Sequence, residues 1–148
     1  PYEIFNEKNI LKEFENFLKN SPQKSLNKLV VKNHPLMLNS DNHIKIKLYL
    51  EKIIMNYKNR FSEKPHDSNI SIFIGATTGV IVALEKKLRV IHICFDPIFE
   101  SYSEELWPML KVKQLSSSMF EYSLKKIGEF ILFGKEENIF KKYYNYKA

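Results

Sequence analysis

Ser71-Ile-Phe-Ile-Gly-Ala-Thr-Thr-Gly-Val80 is a short apolar run that ends in a glycine and two hydroxyls. The run is rich in isoleucine and short, which predicts a buried strand over Ile70 to Ile74. Thr77 or Thr78 then opens a helix whose inner face carries Val80, Ile81 and Leu84. Val90 to Phe95 follows as another strand, apolar except for His92. Strand, helix and strand in this order predict a parallel pair joined by a crossover.

The same grammar extends upstream. Leu29-Val-Val-Lys-Asn-His-Pro35 is a second β-branched run that reads as a strand ending in a turn. Between the two runs, Ser40 or Asp41 caps a helix with Ile44, Leu48, Ile53 and Tyr57, ending near Arg60. Glu7 to Lys19 places Ile10, Leu11, Phe14, Phe17 and Leu18 at helical spacing, and Ser21-Pro22 stops it. Downstream, Lys111 to Leu115 reads as a fourth strand. Ser116 or Ser117 reads as the cap of a helix carrying Phe120, Leu124, Ile127 and Ile131, with Gly134 at its end. The expected fold class is α/β: a Rossmann-like, open, mostly parallel sheet with helices on both faces. Residues 1–134 form one domain, and 135–148 a basic, aromatic helix or tail.

Composition sets the bounds. The chain has 148 residues, 44% hydrophobic and 14% aromatic, which suits one folded domain with a real core. No apolar run approaches the length of a transmembrane helix. The chain opens on Pro1 without a signal-peptide pattern and reads as a piece of something longer. Its one cysteine, Cys94, lies in an apolar run and reads as a core residue of a cytoplasmic protein. The net charge is +6, but only Arg60 and Arg89 are arginines. Readers of nucleic acid favour arginine for bidentate contacts, so the charge points away from nucleic acid. It suits a polyanionic ligand or an anionic surface.

Ligands of open α/β sheets bind beyond the carboxyl ends of the strands. Three such ends are expected, carrying Lys32, Asn33 and His34; Gly75, Ala76, Thr77 and Thr78; and Asp96, then Glu100 and Tyr102. Gly75 lets the backbone approach a ligand closely, and helix-start amides and hydroxyls favour an anion. Pro35 keeps His34 extended, where its imidazole can donate to a phosphate oxygen. The competing reading makes Thr77 a plain helix cap and His34-Pro35 a surface turn. The segment is neither a P-loop nor a dinucleotide fingerprint. No metal-ligand spacing stands out. His92 reads as a satisfied core histidine, and Glu85 as a helix residue paired with a lysine.

With these residues in place, the chain resembles the C-terminal, donor-binding half of a bacterial GT-B glycosyltransferase. Lys32-Asn-His-Pro35 is similar to the His-Pro motif of bacterial sialyltransferases and capsule polysialyltransferases, and Thr77-Thr78 to their Ser-Ser/Thr motif. The resemblance spans roughly Leu26 to Leu115. It implies a nucleotide-sugar donor, with CMP-sugars among the candidates, and no metal or other cofactor. It implies that His34 is catalytic, contacting the donor phosphate and assisting the leaving group. Lys32, Pro35, Gly75, Ala76, Thr77, Thr78 and Asp96 complete the expected donor site. The family's acidic-Gly motif, which supplies the acceptor base, does not stand in this sequence, so a further N-terminal domain or partner is implied. The role expected is surface-polysaccharide synthesis, in the cytoplasm beside the inner membrane. Lys141-Lys-Tyr-Tyr-Asn-Tyr-Lys147 suits peripheral contact with an anionic membrane. The rival reading is a non-catalytic, nucleotide-binding or regulatory module.

Overall fold

The computed structural model describes residues 7–32, 40–64, 70–75 and 77–125. Its elements are α1 (Glu7–Asn20), α2 (Asp41–Asn56), β1 (Ile70–Ile74), α3 (Gly79–Glu85), β2 (Arg89–Ile93), α4 (Ser103–Leu106), β3 (Leu110–Ser116) and β4 (Met119–Leu124). A 3-10 turn at Lys58–Arg60 follows α2.

The four strands form one open sheet in the order β1-β2-β4-β3. β1 and β2 run parallel, with Ile70 opposite Arg89 and Ile74 opposite Ile93. β4 is antiparallel to both β2 and β3. The fold is therefore mixed α/β. The mostly parallel sheet expected from the sequence is corrected: one of its three strand pairs is parallel. The helix expected from Ser116 onward is corrected too, because Met119–Leu124 is a strand. Phe120 and Leu124 are four apart and fit either period. Tyr122, buried between them, completes a period-two face that a strand alone can bury. β4 also hydrogen-bonds on both sides, filling the place between β2 and β3.

The first expected strand, at Leu29 to Val31, has no ladder. Leu29 and Val31 pack partly against the core while Val30 is 70% exposed. The segment's tie to the body of the fold lies earlier, where Leu26 makes an isolated parallel bridge to Phe61. Three apolar residues followed by Lys32 supply too little alternating burial to hold an edge strand.

β2 divides the core. Val90 and Cys94 join Val80, Leu84, Phe99 and Tyr122 on one face. Ile91 and Ile93 join Phe14, Leu18 and Leu50 on the other. Helices thus cover both faces: α3 and α4 on the first, α1 and α2 on the second. α1 follows its helical stripe, with Ile10, Phe14, Phe17 and Leu18 buried. It ends at Ser21, whose hydroxyl donates to the Phe17 carbonyl at 2.8 Å. Tyr57 donates to Glu15 at 2.9 Å and ties the end of α2 to α1. α3 ends in a Schellman motif: the Leu88 N–H donates to Ala83 and the Lys87 N–H to Leu84, with Lys87 left-handed at φ 60°.

Candidate functional site

The parallel β1–α3–β2 unit carries two of the three expected strand ends to one end of the sheet. Gly75 extends the ladder past β1, its N–H donating to the Ile93 carbonyl at 2.9 Å. Its φ of 85° is left-handed, a conformation that glycine adopts without the Cβ penalty. The Gly75 carbonyl turns toward the core, where His92 Nε2 donates to it at 2.8 Å. A carbonyl can only accept, so this contact places the imidazole proton on Nε2. Nδ1 is then the acceptor, facing the Tyr122 hydroxyl at 3.2 Å and the Cys94 thiol at 3.5 Å. His92 is fully buried. Burial holds its basicity below the ordinary histidine range, and the bond to the Gly75 carbonyl opposes that shift.

The two threonines have different surroundings. Thr77 is half-buried, and its Oγ1 accepts the Gly79 N–H at 3.1 Å. Thr78 is exposed, precedes α3 at φ −72°, and makes no side-chain cap hydrogen bond. The expected pair of phosphate donors thus divides into one hydroxyl whose lone pair caps the turn and one that faces solvent. Gly79 is held by close approach: a Cβ there would lie 2.8 Å from Phe73 Cε1 and 3.2 Å from Thr77 Oγ1. α3 has only seven residues, and four of them, Val80, Ile81, Ala83 and Leu84, are buried. Its dipole is correspondingly small, so hydroxyls and backbone donors would carry an anion contact.

Asp96 is exposed just beyond β2, at the same end of the sheet as Gly75. Glu100 and Tyr102 are exposed further along, and the Glu100 N–H donates to Ser103 Oγ at 3.0 Å. Lys32 is exposed and sits on no strand. His34, Pro35 and Ala76 lie outside the described residues, as do residues 126–148. A cleft against β1 lies elsewhere. It measures about 140 Å³ and lies between Leu26–Leu29 and the amino-terminal half of β1, at Ile70 and Ile72. That is below the roughly 300–1,000 Å³ of small-molecule pockets.

The role of His92 in orienting the Gly75 turn was not foreseen in the sequence. The available signal was a polar residue in Val90-Ile-His-Ile-Cys94, which demands a buried partner. Among the described residues, no group of three or more His, Cys, Asp or Glu is gathered that could hold a metal ion. None of the described helices is long and apolar enough to cross a membrane. Comparison of the chain with protein-family models, curated proteins and solved structures found no match.

Proposed function

We propose that this chain is the donor-binding domain of a glycosyltransferase of surface-polysaccharide synthesis, and that it holds the phosphate of a nucleotide-sugar at Gly75–Thr78. One observation carries the reading. The β1–α3–β2 crossover presents a tight glycine turn, the exposed Thr78 hydroxyl and the following β2 end at one end of a parallel strand pair. Open α/β sheets bind ligands there. In this reading β1, α3 and β2 are the Rossmann-like part of a GT-B C-terminal half, and the β3–β4 hairpin extends the sheet antiparallel. His34 supplies a charge-assisted hydrogen bond to the departing phosphate, a contact worth about 1.5–3 kcal/mol. No metal takes part.

Calorimetric titration of the full chain with CMP, CDP and UDP tests this. Binding of at least one nucleotide is expected, about tenfold weaker in both His34→Ala and Thr78→Val. A variant that binds as tightly as wild type removes that residue from the site. No binding of any nucleotide by the wild-type chain ends the donor reading.

A second reading, a nucleotide-binding module without catalysis, is favoured by the absence of an acidic-Gly motif from this sequence. Release of free sugar or transfer of it from a bound donor separates the two: the module binds and leaves the glycosyl bond intact.

A further inference from the structure

The described surface carries nine exposed large hydrophobic residues, and six of them lie on one stripe of α2 and on residues 95–106. The first patch is the outer face of α2. Ile44, Leu48 and Met55 are 43%, 61% and 72% exposed. At 100° per residue they form one stripe along the helix, on which Glu51 also falls, while exposed Tyr49 lies about a third of a turn away. α2 is apolar on two sides: Leu50 enters the core while this stripe faces out. The second patch follows β2. Phe95 is exposed at its start, and Tyr102 and Leu106 are exposed one turn apart around α4.

The two patches differ in charge. From α2 to Arg60 the chain carries five cations, Lys45, Lys47, Lys52, Lys58 and Arg60, against Asp41 and Glu51. Glu51 is engaged by Lys47 at 3.9 Å. Residues 95–107 carry four carboxylates and no cation. Glu104 is taken up by Lys125 and the Val112 N–H, whereas Asp96, Glu100 and Glu105 are exposed. The patches also lie over opposite faces of the sheet, since Leu50 enters the α1/α2 core and Phe99 the α3/α4 core. One molecule therefore cannot close the two on each other.

We propose that these patches are the two halves of a head-to-tail contact between copies of this chain: the lysine-flanked stripe of α2 docks on the acidic, aromatic surface of residues 95–106 of the next copy. Such a heterologous contact leaves one patch of each kind free at the ends, so it adds copies into a ring where its rotation closes and into a filament where it does not. Three apolar side chains a side suit a weak contact, smaller than a standard interface of about 1,600 Å². Its charge component makes it salt-sensitive. The contact needs no nucleotide, although its acidic half begins at the β2 end, beside Asp96, that the donor reading also uses.

Sedimentation velocity of the full chain, across a wide concentration range at low and high salt, tests it. The average mass is expected to rise above 17.6 kDa with concentration at low salt and to fall back at high salt. Lys45→Glu/Lys52→Glu and Glu100→Lys/Glu105→Lys alter exposed positions only, and each is expected to sediment as a monomer. Their equimolar mixture is expected to associate again, because the first keeps its acidic patch and the second its basic one. A wild-type chain that stays monomeric throughout overturns the proposal. So does association that survives in either variant, or a mixture that stays monomeric. If the monomeric wild type pellets with anionic vesicles and the α2 variant does not, the α2 stripe faces a membrane instead and the proposal falls.

Discussion

His92 is the residue on which the turn after β1 depends. Its neutral imidazole donates to Gly75 and accepts from the β4 side, so protonation would place a charge in a dry site. Its folded pKa lies below the ordinary 6.5. Below about pH 6.5 the unfolded chain takes up a proton that the native chain resists, so stability falls as pH falls. The loss ends once pH drops below the folded value. In His92→Gln, whose amide nitrogen can replace Nε2 as donor, this part of the slope is expected to vanish. Urea unfolding of both proteins at about pH 7.5 and about pH 5.5 reads it out. An equal acid loss in the variant would assign the slope to other groups. Gly79 gives a steric counterpart. Alanine there gains helix propensity of about 1 kcal/mol but meets the Phe73 ring, and overpacking costs about 1–3 kcal/mol. Gly79→Ala is expected to be destabilising by about 1 kcal/mol in the same assay.

Among the elements, α3 is short and is held by packing far more than by its own helical propensity. Leu84 is completely buried in the core it shares with Val90 and Phe99. Leu84→Ala should cost about 2–5 kcal/mol through the cavity it leaves. By contrast, Arg89 reaches Glu121 at 2.9 Å across β2 and β4 with its side chain 45% exposed, so Arg89→Ala should cost less than about 1 kcal/mol. Denaturant midpoints that rank these two the other way would overturn this account of the sheet. The Schellman end of α3 offers a gain. Lys87 sits at φ 60°, where a Cβ is strained, and Lys87→Gly is expected to stabilise by about 0.5 kcal/mol after the entropy of glycine is subtracted.

For the whole molecule, a nucleotide that binds only the folded state raises its stability by mass action. At about 100 times its dissociation constant the gain is roughly 2.7 kcal/mol, visible as a higher melting temperature. CMP, CDP or UDP at saturating concentration is expected to give that rise in the full chain, while inorganic phosphate at the same concentration gives less. A flat response to all three nucleotides would leave the strand end between β1 and β2 as a capped turn and no more.

The local pattern of residues was enough to place α1, α2, β1, α3, β2 and β3, but not all their faces: Ile44 and Leu48 of α2 are exposed while Leu50 enters the core, and β1, at the sheet edge, is half-buried along its length. The glycine and hydroxyls after β1 were legible too: Gly75 and Thr77 are punctuation that the backbone itself requires. Three features were not. Phe120 and Leu124 fit both periods, and only pairing with β2 and β3 makes that segment β4. Leu29 to Val31 looks like a strand in isolation but gains no ladder. The partners of His92 come from Gly75, 17 residues away, and Tyr122, 30 residues away. Periodicity acts over one or two turns of chain and so can be read along it. Strand order, direction and buried hydrogen-bond partners depend on contacts between distant segments, which exist only once the sheet has assembled.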